Sequence, residues 1–127
     1  MSGAAKGILL VEPSMLTGSI IVSTARQLSL PEVHQVASVR TAQQQLAQRD
    51  FAGVIVSLEE RQEAVQLLES VRASQLAVAS SVPVAVTTSE VDATTAEQMK
   101  ALRVRRVLLK PFKVKDVIST IELLKNA

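Results

Sequence analysis

A doubly wound α/β sheet, with five parallel strands alternating with five helices, is the fold class this sequence predicts. Three observations carry the prediction. Short apolar runs of strand length recur five times along 127 residues. Four of them are nearly continuous in Val, Ile and Leu rather than alternating, the pattern of parallel strands buried on both faces. Amphipathic segments of helical period fill the intervals, and right-handed crossovers then place helices on both faces of the sheet.

The strands are expected at Gly7–Val11, Val33–Val39, Gly53–Val56, Val82–Thr87 and Arg106–Leu109. The second run is broken by His34, Gln35 and Ser38 and suits an edge; the others read as buried. Ser14 is placed to cap a first helix carrying Leu16, Ile20, Ile21, Ala25 and Leu28, before Pro31 intervenes. Thr41 is expected to cap a short second helix through Leu46 and Arg49. A third, from Glu60 to about Leu76, aligns Ala64, Leu67, Leu68 and Val71 on one face. The fourth runs from Asp92 to about Leu102, with Thr94 and Thr95 disfavouring its first turn as helix interior. The fifth has the clearest stripe, Val114, Val117, Ile118, Ile121 and Leu124. Ala73–Ser81 reads as a long, loose connection, and no boundary divides the chain, so residues 1–127 are expected to form one domain.

Composition excludes several chemistries. With no cysteine, disulfides, thiolate catalysis and thiolate metal sites are ruled out. Phe51 and Phe112 are the only aromatic residues, so the core rests on aliphatic side chains and base-stacking platforms are essentially absent. The apolar runs are too short to span a bilayer, and Met1–Lys6 makes a poor signal peptide, so a cytoplasmic location is expected. The net charge of +2 conceals an asymmetry: eight acidic residues between Asp50 and Glu97 face only Arg61 and Arg72, whereas eight basic residues after Met99 face only Asp116 and Glu122. Solvated helix faces explain such a split, and so does a docking surface.

In an open α/β sheet the site lies at the carboxyl ends of the strands. That selects Glu12 and Pro13, Ser57 to Glu60, Thr87 to Glu90, and Lys110 with Pro111. The segments ILLVEPS (Ile8–Ser14), FAGVIVS (Phe51–Ser57), VPVAVTTSE (Val82–Glu90) and VLLKPF (Val107–Phe112) resemble those of a response-regulator receiver domain over nearly the whole chain. The resemblance, to the chemotaxis-regulator type, implies a flavodoxin-like (βα)5 sheet in the order 2-1-3-4-5. It also implies a role in bacterial two-component signal transduction. By the same resemblance Glu12 stands at the first of two adjacent acidic positions, and Pro13 replaces the second. Ser57 stands at the phosphate-accepting aspartate, Thr88 at the switching hydroxyl and Lys110 at the invariant lysine. Val107 takes the place of a rotating aromatic residue and Arg103 that of a glycine; Pro111 is expected to follow a cis bond.

Two of these departures are chemically decisive. A receiver needs a carboxylate nucleophile and a magnesium ion held by oxygen ligands. Here Glu12 alone supplies a carboxylate, Pro13 supplies neither a carboxylate nor an N–H, and a serine hydroxyl is a weak nucleophile without an adjacent base. His34 lies away from the site and reads as structural or merely exposed. Glu59 and Glu60 read as acids favoured by a helix dipole. Ser57 is expected to bond backbone or Lys110. A buried Lys110 ammonium calls for Glu12 as its partner, unless it reaches solvent.

The expected function is therefore a degenerate, non-phosphorylatable pseudo-receiver, not an enzyme, with no cofactor, metal or catalytic residue, acting through protein contacts. Its expected interaction face, on the fourth helix, fifth strand and fifth helix, comprises Lys100, Arg103, Arg105, Arg106, Val107, Lys113 and Lys115. That face suits an acidic protein partner or a homodimer. Alternatives are an atypical phospho-receiver with an altered magnesium site, a basic nucleic-acid-binding surface, disfavoured by the lack of aromatics, and a small-ligand sensor using the cleft.

Overall fold

The computed structural model describes residues 6–127. Its strands are β1 (Ile8–Val11), β2 (Val33–Val36), β3 (Gly53–Ser57), β4 (Val84–Thr88) and β5 (Arg106–Leu109). Its helices are α1 (Met15–Gln27), α2 (Val39–Gln48), α3 (Arg61–Arg72), α4 (Ala93–Ala101) and α5 (Val114–Lys125). All strand pairs are parallel, in the order β2-β1-β3-β4-β5, the expected flavodoxin-like arrangement. Side chains alternate across the pleat into two cores. One, with Ile8, Leu10, Ile55 and Ala85 from the sheet, takes Ile21 and Ala25 of α1 and Val117, Ile121 and Leu124 of α5. The other, with Leu9, Val54, Val56, Val84 and Val86, takes Leu46, Leu68 and Met99 from α2, α3 and α4. No described helix is long and apolar enough to cross a membrane.

Several local expectations are corrected. β5, read as buried on both faces, is an edge strand whose residues are partly exposed, because only β4 flanks it. The second strand ends at Val36 instead of Val39; Ser38, not Thr41, caps α2 by accepting from the Thr41 N–H. Val39 belongs to the helical stripe Val39, Ala42, Leu46, which faces the core at the three-and-four spacing. α3 stops at Arg72 rather than Leu76, because Ser74 turns left-handed at φ 61°.

The connection after α3 is not loose. Arg72 donates through Nη1 to the carbonyls of Ser80 (2.9 Å) and Val82 (2.7 Å), and through Nε to Leu102 (2.8 Å). One guanidinium thus joins the ends of α3 and α4 to the start of β4. Val78 is buried, its N–H bonds the Leu46 carbonyl, and Ala79 donates to Asp50 Oδ1. Burial acts to raise the Asp50 carboxyl pKa, but bonds from Lys6, Ala79 and Phe51 outweigh it and hold it below the usual range.

Ser14 caps α1 as expected, its Oγ accepting from the Thr17 N–H. Gly18 is buried on the face of α1 turned toward β2. A Cβ there would lie 2.0 Å from the Gln35 amide, so the bare backbone lets β2's Gln35 close over it. Gln35 then donates to the carbonyls of Glu12 and Ser14. The inward face of α1 buries Gly18, Ile21 and Ala25, and Leu16 and Ile20 point outward.

Helices α1, α3 and α4 end with Ser29, Ser74 and Arg103 at positive φ, where glycine is favoured. A side chain in that conformation costs about 1 kcal/mol, partly offset by glycine's greater freedom when unfolded. Ser29→Gly and Ser74→Gly should each raise unfolding stability by about 0.5 kcal/mol. Urea denaturation with an unchanged m-value measures this.

Candidate functional site

The carboxyl ends of the strands open onto a cleft of about 750 Å³ lined by Glu12, Pro13, Ser14, Thr17, Glu59, Ser89, Lys110, Pro111 and Phe112. Glu12 follows the last residue of β1, and its backbone N–H extends the parallel ladder to the Val36 carbonyl. Its carboxylate is almost wholly buried, at 4% exposure, beneath the turn into α1. Oε2 accepts from the Ser14 N–H at 2.9 Å, leaving Oε1 directed at Lys110. Pro13 is exposed at the cleft rim.

Lys110 follows β5, its N–H bonded to the Thr88 carbonyl, and its bond to Pro111 is cis, as the resemblance implies. The side chain returns over the strand ends. Its Nζ lies 3.5 Å from Glu12 Oε1, 3.4 Å from Glu59 Oε1 and 3.4 Å from Ser57 Oγ. The side chain is 20% exposed where it lines the cleft, and the expected Glu12–Lys110 pair forms. The pair joins β1 to β5, strands separated in the sheet by β3 and β4.

Ser57, the last residue of β3, is buried. Its Oγ accepts from the Glu59 N–H at 3.3 Å and from Lys110, so it meets both partners the sequence proposed, backbone and lysine. Both contacts are donors; neither is a base able to draw off the hydroxyl proton. Thr88 is buried too, but its hydroxyl donates to the Glu90 carbonyl at 3.0 Å, within its own turn. The hydroxyl in register beside Ser57 is that of Thr87, whose Oγ1 is buried without a partner among the described residues. Strand alternation settles which of two adjacent threonines faces Ser57, and that alternation was the available signal.

Glu59 and Glu60, read alike as helix-start acids, have separate duties. Glu59 is half exposed and binds Lys110; Glu60 Oε1 accepts from the Val39 N–H at 2.9 Å, stabilising the start of α2 from a neighbouring loop. His34 lies on β2, edge-on to Phe51, which also carries Arg49 over its ring. Among the described residues no group of three His, Cys, Asp or Glu could hold a metal ion.

A second feature follows from charge. Lys100, Arg103, Arg105, Lys113 and Lys115 are exposed, and no ion pair among the described residues includes any of them. Arg106 is folded onto α5, donating to Ser119 and Thr120 hydroxyls, and Val107 packs against the α2–α4 core. Burial, and then the nearby charges of Arg103 and Arg105, hold the Arg72 guanidinium pKa below its usual value. Arg72, Arg103 and Arg105 are therefore crowded together between the end of α4 and the start of β5.

Removing Lys110 would leave the Glu12 carboxylate buried with only the Ser14 N–H. Lys110→Met should cost roughly 2 kcal/mol of stability, and the Glu12→Gln/Lys110→Met double variant should recover more than half of it. Thermal and urea unfolding of the four members of the cycle measure the coupling.

No protein-family model matches the chain, and no curated protein matches it. Solved structures do. A response regulator from Thermotoga maritima aligns over 97% of this chain and 99% of its own, at TM-score 0.79 and 19% identity. An orphan response regulator of H. pylori aligns over 98% and 99%, at TM-score 0.81 and 16% identity. The receiver domain of a sensor histidine kinase from Pseudomonas aeruginosa, with a magnesium ion coordinated in its active-site cleft, aligns over 98% and 100%, at TM-score 0.77 and 19% identity. The chain thus has the fold of response-regulator receivers, and its cleft occupies the carboxyl ends of the strands of that fold.

Proposed function

We propose that the chain is a pseudo-receiver: a cytoplasmic signalling module that works by protein contact and neither accepts a phosphoryl group nor catalyses a reaction. The observation that carries this reading is the position of the Lys110 ammonium. Both cleft carboxylates and the Ser57 hydroxyl converge on its Nζ at 3.4–3.5 Å. A lysine ammonium there supplies the cation for the Glu12 carboxylate, so the cleft is held together without a metal.

The residues present do not fit a magnesium ion held in the receiver manner. Magnesium requires near-octahedral oxygen coordination at short range, normally from one or two carboxylates, waters and phosphate. Pro13 offers no carboxylate, and Oε1 of Glu12 and of Glu59 is already directed at the ammonium. The nucleophile fails separately. Ser57 Oγ accepts from an N–H and from Lys110, an environment that withdraws electron density instead of activating the hydroxyl. Restoring either element alone leaves the other missing.

Output then depends on the surface. The uncompensated cations Lys100, Arg103, Arg105, Lys113 and Lys115 favour an acidic protein partner, mainly through encounter rate and orientation. Phe51 is buried, and Phe112, beside Lys113, is half-buried against the core, so neither presents an open ring on which a base could stack.

Two experiments test the reading. Adding magnesium, alone and with acetyl phosphate, should leave the amide resonances of Glu12, Ser57 and Lys110 without saturable shifts. Saturable shifts in both titrations would restore the phospho-receiver alternative. Polyglutamate should bind with an affinity that falls as salt rises, and Arg105→Glu/Lys113→Glu should weaken it about tenfold or more. Retention on duplex DNA that exceeds polyglutamate binding at equal salt would favour the nucleic-acid alternative.

A further inference from the structure

We propose that α4 is a latched segment: two arginines of α3 hold it in place, and it opens without the rest of the domain unfolding. The first observation is how little of α4 is packed. Of its nine residues only Thr95 and Met99 are buried, the fewest of the five described helices, and Met99 is the sole buried apolar side chain. Neighbouring α3 buries Ala64, Leu67, Leu68 and Val71. Burial of an apolar face is what holds a helix onto a sheet, so α4 is poorly secured by it. Its own cap does not help, because Asp92 accepts from the Thr95 N–H inside the same segment. A groove of about 440 Å³ separates the two helices, lined by Arg61, Val65, Gln66 and Glu69 of α3 and by Gln98 of α4.

The second observation is what bridges that groove. Arg61 and Arg72 are the first and last residues of α3. Arg61 Nη1 donates to the Thr95 hydroxyl in the first turn of α4. Arg72 Nε donates to the carbonyl of Leu102, the C-cap of α4, at 2.8 Å, while its Nη1 holds the carbonyls of Ser80 and Val82. The two side chains thus grip α4 at both ends, across a gap that apolar contacts leave unfilled. Segments with few buried apolar contacts open at a lower free energy than the core, so α4 opens before the sheet unfolds.

Charge sets which state a partner prefers. Arg103 travels with α4, since its N–H bonds the Lys100 carbonyl; Arg105 stays with the sheet, its N–H bonded to the Val84 carbonyl. Both are exposed, and both set like charge against the Arg72 guanidinium. In the closed form this repulsion favours opening, and an anionic group placed on Arg103 and Arg105 removes it. Opening also draws Arg103 away from Arg105, so the two form one surface only while α4 is closed. An acidic protein partner spanning the pair therefore closes α4, and the closed α4 binds that partner more tightly by the same factor. This last step rests on the acidic-partner reading; the latch does not.

Amide hydrogen exchange on the full chain, followed by NMR, tests both. In the wild type the amides of Ala96 to Leu102 should exchange through an opening that depends weakly on urea, with protection at least about tenfold below that of β1 and β3. Arg72→Met should quicken α4 exchange about tenfold or more, and the milder Arg61→Met about threefold, each beyond any change in β1 and β3. Arg103→Gln/Arg105→Gln should slow it about threefold, because the opposing charge is gone. Polyglutamate at low salt should slow α4 exchange in the wild type and not in that double variant. Amides of α4 protected as fully as those of β1 and β3 would overturn the latch, as would arginine variants that quicken every element equally. Polyglutamate that binds by calorimetry without slowing α4 would overturn the coupling alone. Polyglutamate that fails to bind would overturn the coupling and the acidic-partner reading together, and the arginine variants would still decide the latch.

Discussion

The Lys110 ammonium is where the carboxyl ends of this sheet meet. Glu12 arrives from β1, Ser57 and Glu59 from the end of β3, and Lys110 itself from β5, with its backbone tied to Thr88 of β4. A carboxylate as buried as Glu12 is costly unless it is paired and hydrogen-bonded. It has both: the ammonium on one oxygen and the Ser14 N–H on the other. That requirement explains why a lysine at the end of an exposed edge strand is drawn back over its neighbours. It also explains why the turn after β1 is built tightly, with Ser14 both donating to Glu12 and capping α1.

The same turn links the cleft to the outside of α1. Gln35 reaches from the edge strand to the carbonyls of Glu12 and Ser14, and it can do so only because position 18 is glycine. Gln35 thus ties the edge strand to the cleft turn across the start of α1. The inner face of α1 is spent on Gly18, Ile21 and Ala25, and the remaining aliphatic residues are left outside. At the opposite end of the sheet, Arg72 does comparable work by gathering three carbonyls from two segments, while Arg103 and Arg105 crowd it with like charge. Its pKa is lowered without losing a cation that remains charged at any ordinary pH.

Much of this was legible in the residues. Continuous aliphatic runs identify buried parallel strands because such strands have no solvent face to mark with polar residues. The pairing of Glu12 with Lys110 was readable because burial leaves a lysine few choices of counter-charge. Other features carried no comparable signal. The partners of Arg72 are backbone carbonyls, which every residue possesses, so nothing in Ala73–Ser81 distinguishes a stapled segment from a loose one. Ser38 and Thr41 are both competent caps, and the choice fell to whether Val39 continued the strand or began the helical stripe of Ala42 and Leu46. The apolar content of α1 was visible, but which part of it faces the core was not, because Leu16 and Ile20 are as aliphatic as the buried Ile21 and Ala25. Thr88 took the expected position in the chain, yet its hydroxyl closes its own turn and leaves Thr87 beside Ser57.

The central claim is that an ammonium, not a metal and phosphate, organises this cleft. A crystal structure determined after soaking in magnesium and beryllofluoride, which mimics a phosphoryl group on a receiver, tests it most directly. The account predicts that Lys110 Nζ remains beside Glu12, Glu59 and Ser57, with neither additive bound among them. An octahedral magnesium ligated by Glu12, with beryllofluoride on Ser57 Oγ and Lys110 displaced from Glu12, would contradict it.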